Sequence, residues 1–375
     1  MEKYLNQLYK RFITLDKNYL VLDAKRYSTS LKKLKISDRE LYQFYKNYYQ
    51  PSFIDFLSDI KNIIYSENVL EFIQKTSSED WNLWPYLDFL VKEKIIKVEK
   101  SGRPILLKKE LKKVILPPLK EGEIKNVLEK KLGVRIKKSD YVINLFKKIC
   151  PFRVKKEWDQ MPISQGSALF LVSKISEVLP LKGPFLFVGD DDFISVILAL
   201  SNPDFQLKVI DADKEILSSI AFLADKFNLK IETERLDIRK RRKSKEKFIG
   251  FLTNPVYTQA GVEEFVGFGI RQLSDKGARV FLEVGDESIG KRFLFLQEFF
   301  SKNNLVIDEI IKRKISYPYI MLYKEDKEIL RRFTSLIEEG IIKRHPKLAA
   351  SLYIFRYIPK RPKKLKRKGE FYAYL

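Results

Sequence analysis

The chain has 375 residues, 45% of them apolar, which is enough for two or three domains with real cores. Its single cysteine, Cys150, excludes an internal disulfide, and one cysteine with one histidine, His345, excludes a conventional Cys/His zinc site. The net charge of +23 invites a polyanionic neighbour, although a chain rich in Lys, Glu and Ile equally describes the solvated surface of a heat-adapted protein.

Residues 1–150 read as a helical N-terminal domain. The opening MEKYLNQLYKRF lacks the apolar core of a leader peptide, and no run reaches the ~18 apolar residues of a membrane span, so a cytoplasmic protein with no membrane contact is expected. Within this part, Asn68 to Lys75 reads as a helix. The cap signal Ser77-Ser78-Glu79-Asp80 introduces a second helix, Trp81 to Glu93, and the alternation on either side of Ser101-Gly102-Arg103 predicts a hairpin. Helix, helix, hairpin over about 60–108 is a winged-helix-like pattern. The second helix carries Trp81, Trp84, Tyr86 and Phe89 and few basic residues, which favours packing over base reading.

Residues 151–325 read as a Rossmann-like, doubly wound α/β domain of the S-adenosylmethionine (SAM)-methyltransferase type. A polar loop, PFRVKKEWDQMPIS, leads to a helix, Gln165 to Glu177. Five short apolar strands follow, PFLFVG, LKVIDAD, KIETERLD, KFIGFLTNP and ARVFLEVG, as expected of strands covered on both faces. Helices are predicted over Glu215 to Phe227 and Val262 to Leu273, with Gly277 closing the second. IDEIIKRKISYPYIMLY predicts a closing pair of strands. Residues 326–375 read as a helix, Asp326 to Glu339, and a basic tail able to make weak nucleic-acid contact. The basic run Arg239 to Lys247 reads as a solvated loop in preference to a binding patch.

Ligands of doubly wound sheets bind beyond the carboxyl ends of the strands. Four predicted strands end in polar or acidic groups: Gly189-Asp190-Asp191-Asp192, Asp211, Asp237, and Asn254 with Tyr257. An acid in the position of Asp211 accepts from ribose hydroxyls, and one in the position of Asp237 can accept from the adenine amine. Either also fits a helix N-cap. Three adjacent aspartates would repel a pyrophosphate or the carboxylate of SAM. They suit a cationic aminopropyl group or a polyamine, with a divalent metal site or a simple helix cap as alternatives.

The GDDD loop after an apolar strand resembles the branched-chain polyamine synthases, the N(4)-bis(aminopropyl)spermidine synthases. Glu157-Trp158-Asp159-Gln160 followed by Pro162-Ile163-Ser164 is similar to that family's segment ahead of its first helix, and VIDADKEILSSI to its second strand and helix. The resemblance covers roughly Arg153 to Tyr323. One departure stands out: Asn254-Pro255-Val256-Tyr257 replaces the family's Asp-Pro-Pro, which puts acceptor binding in question.

The resemblance implies an aminopropyltransferase using decarboxylated SAM as co-substrate, with no tightly bound cofactor and no metal, and a homodimer. It assigns the proton-accepting role to Asp191 first, with Asp192 holding a flanking ammonium. Asp190 would meet the donor's propylamine or cap the next helix. Asp211 and Asp237 would hold ribose and adenine, Asp159 and Gln160 would line the acceptor side, and Tyr257 would stack on adenine or serve as a buried aromatic. A negative cleft in a positive molecule is expected. Two rivals remain: a SAM-dependent nucleic-acid methyltransferase, since Asn-Pro-Val-Tyr approaches an amino-methyltransferase motif, and a non-catalytic nucleoside- or DNA-binding protein.

Overall fold

The structure is a computed structural model that describes residues 1–14, 50–76, 80–155, 160–240, 246–318 and 348–362, with isolated positions between 37 and 46. In the N-terminal part, α1 (Glu2–Ile13) buries Leu5, Leu8 and Phe12, a helical i, i+3, i+7 stripe. It packs on α2 (Phe53–Tyr65), where Phe12 meets Phe56 at 5.2 Å between ring centroids. Reciprocal capping by Ser52 and Asp55 starts α2, and ten of its thirteen residues are buried, which makes it the centre of this part. Helices α3 (Val69–Lys75) and α4 (Asp80–Lys92) precede the antiparallel hairpin β1 (Ile96–Val98) and β2 (Pro104–Leu106), as the sequence predicts. On α4, Tyr86, Phe89 and Leu90 are buried.

Polar groups of α2 tie it to the rest of the chain. Asp55 meets Arg279 at 3.0 Å. Burial pushes the Asp55 carboxyl up, but Arg279 and Arg356 outweigh burial and hold it below its ordinary range. Lys61 donates to the Leu179 carbonyl at 2.7 Å and to that of Ser176, at the carboxyl end of α6 (Gln165–Val178). A lysine donor suits that end of a helix, although burial pushes the Lys61 ammonium well below its ordinary range. A further helix, α5 (Glu121–Leu132), packs on α6 and stops at Gly133, whose φ of +64° forms a left-handed C-cap.

The second part is a seven-stranded sheet. Its strands are β3 (Phe185–Val188), β4 (Leu207–Asp211), β5 (Ile231–Arg235), β6 (Gly250–Thr253), β7 (Ala278–Val284), β8 (Leu305–Tyr317) and β9 (Leu348–Tyr357). The spatial order is β5-β4-β3-β6-β7-β9-β8. The first five are parallel, while β9 runs antiparallel to both β7 and β8. Helices α7 (Ile194–Ser201), α8 (Lys214–Phe227), α9 (Gln259–Arg271), α10 (Asp286–Ile289) and α11 (Phe293–Lys302) connect them. This is an α/β Rossmann-like fold, and the order reverses between β4 and β6 around β3, which opens a crevice at the strand ends there.

Two expectations are corrected. The closing pair is not contiguous: β8 pairs with β9, so Leu348–Tyr357 belongs to the sheet and not to the basic tail expected after the helix over Asp326 to Glu339. Its alternation, AASLYIFRY, is legible but is overshadowed by the cations on either side. Gly277 does not close α9, which ends at Arg271. It turns the chain into β7 at φ +91°, where a Cβ would lie 2.4 Å from the Ser52 hydroxyl. The predicted helix over Asp326 to Glu339 and the tail beyond residue 362 lie outside the described residues.

Candidate active site

A cavity of ≈ 1030 Å3 opens where the carboxyl ends of β3 to β6 converge. Gly189 and Asp191 after β3, Asp211 and Ala212 at β4, Leu236 to Lys240 after β5, and Asn254 to Tyr257 after β6 all line it. Tyr317, from the end of β8, closes one side.

The acid loop is built on two unusual backbone angles. Gly189 takes φ +77°, and Phe193 takes φ +56°, a strained angle for a side chain with a Cβ. Phe193 is held there by packing on Phe146 at 5.6 Å and Phe152 at 5.3 Å. Between these anchors the three aspartates diverge. Asp190 turns inward and accepts from the Ile194 and Ser195 amides, at 2.8 and 3.1 Å, capping α7. Of its two expected roles, the cap is the one with geometry. Asp192 also turns inward, 4% exposed, and accepts from the Ile163 amide at 2.8 Å. It does not line the cavity as Asp191 does, and its hydrogen bond ties down the segment ahead of α6. Asp191 alone of the three lines the cavity.

Burial, and in addition the neighbouring acids, pushes several of these carboxyls above their usual range. Asp190 and Asp192 are pushed well up, by burial first and by Asp191 in addition. So is Glu283, 1% exposed on β7, by burial and then by Asp191 and Asp190. Sequence reasoning missed Glu283, although an acid within the buried run ARVFLEV was a visible signal.

The end of the cavity where the sequence places a nucleoside is built from β4 and β5. Asp211 accepts from the Asp213 amide at 2.8 Å, and burial raises its carboxyl. Asp237 lines the cavity but is gripped by Arg239 through Nε at 2.8 Å and Nη2 at 2.7 Å. Those hydrogen bonds hold its carboxyl down to about 2. Arg235, Arg239 and Lys240 make this end of the wall partly basic. The negative cleft is thus confined to the Asp191 side, and Arg239 and Lys240 are wall residues, not purely a solvated run.

Gln160 lines the cavity, yet its side-chain amide is already committed. It accepts from the Lys155 amide and donates to Asp213, both at 2.9 Å. Lys155 Nζ reaches Asp213 at 2.7 Å. Burial pushes Asp213 up, but Lys155 and Gln160 outweigh it and hold the carboxyl below its ordinary value. Gln160 is therefore a clamp joining the pre-α6 segment to the start of α8. Asp159 lies outside the described residues.

Asn254, Tyr257 and Tyr317 form a closed ring of hydrogen bonds. Asn254 Nδ2 donates to the Tyr317 hydroxyl at 3.2 Å, the two tyrosine hydroxyls meet at 2.6 Å, and Tyr257 donates to Asn254 Oδ1 at 3.1 Å. Each member can donate once and accept once around the ring. The ring of Tyr257 packs against Gly285, where a Cβ would come within 2.8 Å of Cδ2. Tyr317 escaped sequence reasoning because its partners lie 60 residues and more away. Among the described residues, no group of three or more His, Cys, Asp or Glu side chains is arranged to hold a metal ion. Nor does any helix there have the length and apolarity to cross a membrane.

Residues 142–350, more than half of the chain, match the branched-chain polyamine synthase A C-terminal domain. The chain belongs to this family. Among curated relatives of this branched-chain polyamine synthase family member, an uncharacterized protein of Methanocaldococcus jannaschii is 34% identical over 128 residues, 34% of this chain and 32% of the relative. The N(4)-bis(aminopropyl)spermidine synthase of the same organism is 30% identical over 190 residues, 48% of this chain and 54% of the relative. The chain therefore spans about half the length, or less, of these relatives. The branched-chain polyamine synthase of Thermus thermophilus, solved with N4-aminopropylspermidine and 5'-methylthioadenosine, is 17% identical. Its TM-score is 0.49, over 94% of this chain and 95% of that one.

Proposed function

We propose that this protein is an aminopropyltransferase. It takes the aminopropyl group of decarboxylated SAM, passes it to a polyamine such as spermidine, and yields a branched polyamine and 5'-methylthioadenosine. The observation that carries this reading is a single cavity with two ends: Asp211 and Asp237 at the nucleoside end, and Asp191, backed by buried acids, at the other. Membership of the family and the names of its curated relatives support it.

In this reading Asp211 receives ribose hydroxyls and Asp237 receives the adenine amine once Arg239 swings aside. The acceptor nitrogen attacks the methylene next to the sulfonium. The new C–N bond forms as the C–S bond breaks, the sulfur keeps the electron pair, and the neutral thioether leaves. Alignment of the two substrates supplies much of the rate. The nucleophile must be an unprotonated amine, so Asp191 is placed to orient it and take its proton. Asp192 and Gln160 act indirectly, by fixing the segment that borders the acceptor side. A cytoplasmic homodimer belongs to the same reading. So does a winged-helix role for about 60–108, in which the burial of Tyr86, Phe89 and Leu90 favours packing over base reading.

A second reading, a nucleic-acid methyltransferase, draws on the cavity position of Asn254 to Tyr257 and the cations Arg235, Arg239 and Lys240 at its wall. Thermal shift separates the two. Preferential stabilisation by 5'-methylthioadenosine supports aminopropyl transfer, whereas preferential stabilisation by SAM supports the rival.

A further inference from the structure

Two charged residues interrupt the fully buried strand β7. Arg279 is answered by Asp55 at 3.0 Å and Asp308 at 3.9 Å. Glu283, 1% exposed, has no such answer: among the described residues its Oε2 has no hydrogen-bond partner. Strand alternation places it on the face of Arg279 and Phe281. The groups around it come from three other elements. They are Asp190, Asp191 and Asp192 of the acid loop, Tyr257 after β6, and Tyr317 of β8, the last two being cavity residues.

A carboxylate buried among carboxylates without a cation is expensive, and it keeps its proton instead. An amide or apolar side chain would fill the same volume without that cost. Among the described residues no cation is paired with Glu283, so an acid at this position gains a favourable partner when a cation arrives in the neighbouring cavity. We propose that Glu283 is a positioning residue for the acceptor: with Asp192 it forms a buried carboxyl pair that holds a proton in the empty site and releases it to solvent when a polyamine ammonium docks on Asp191. The only bond broken is a carboxyl O–H, and its proton passes to the buffer. The pair gains negative charge behind the amine as the cation arrives, so affinity rises with pH. This inference rests on the aminopropyltransferase reading.

The test is calorimetric titration of the full chain, loaded with 5'-methylthioadenosine, with spermidine in phosphate and in Tris at one pH. The two buffers differ in ionisation enthalpy, so the difference in heat counts protons. Wild type should release protons, and Glu283→Gln should release fewer and bind spermidine several-fold more weakly. Asp192→Asn provides an independent variant of the same pair, with the same expected direction. Spermidine binding with proton release unchanged in both variants overturns the inference alone. No saturable spermidine heat in wild type overturns the underlying function together with it.

Discussion

Replacing Asn254 with aspartate would bring Asn254-Pro255-Val256-Tyr257 nearer to the Asp-Pro-Pro pattern it resembles, and the local hydrogen bonding predicts that it should harm this chain. The Asn254–Tyr257–Tyr317 ring needs one donor and one acceptor at residue 254. An ionised carboxylate accepts from both hydroxyls and leaves the 2.6 Å contact between the tyrosine oxygens without a proton. A protonated carboxyl would preserve the ring. Losing one hydrogen bond and leaving a part-buried oxygen unsatisfied costs about 1–3 kcal/mol. Holding the proton instead costs about 1.4 kcal/mol per pH unit above the unfolded pKa of ~3.9. The folded pKa in Asn254→Asp is raised, so the ring's contribution is intact below ~3.9 and is lost as pH rises, up to the cost of breaking the ring. Urea denaturation of wild type and Asn254→Asp at pH 4.5, 6 and 7.5 measures this. The variant should be less stable at pH 7.5 by about 1–3 kcal/mol, with the gap closing toward pH 4.5. Equal stability at pH 7.5, or a gap that widens as pH falls, would refute the ring.

Other perturbations have defined outcomes. Arg239→Ala frees Asp237 from its two hydrogen bonds, so 5'-methylthioadenosine affinity should rise in isothermal titration; a weaker affinity would place Arg239 among the ligand contacts. Asp55→Asn removes the nearer of the two carboxylates that answer the buried Arg279, leaving Asp308 at 3.9 Å, and should lose up to about 3–5 kcal/mol in urea. In wild type, the depressed Asp55 carboxyl gives stability that is present above ~3.8 and disappears as pH falls below it, so acid unfolding should be less steep in the variant. Lys155→Ala removes one arm of the Asp213 clamp; spermidine KM should rise more than kcat falls, and a change confined to kcat would contradict the clamp.

The parallel strands and the cavity rim were legible because both are local signals. Short apolar runs mark β3, β4, β6 and β7, while β5 is a charged, half-exposed edge strand, and the polar residues that end the strands mark the rim. Orientation within the rim was not local. Asp190, Asp191 and Asp192 look equivalent as a string, yet the φ angles of Gly189 and Phe193 send two carboxylates inward and one out. The Gln160 amide looked available until Lys155 and Asp213 met it across the fold. Strand β9 was obscured because its alternation lies between two basic stretches, and burial on both faces overrides that composition. Tyr317 and Glu283 join the site through tertiary packing that no spacing rule encodes.

In the proposed reaction Asp191 is the carboxylate that faces the attacking amine. The most direct measurement of this role is chromatographic detection of 5'-methylthioadenosine from decarboxylated SAM and spermidine, by wild type and Asp191→Asn. Wild type should form product and the variant should be slower by about 10²–10⁴-fold, with 5'-methylthioadenosine binding retained. Turnover by Asp191→Asn at the wild-type rate would contradict it.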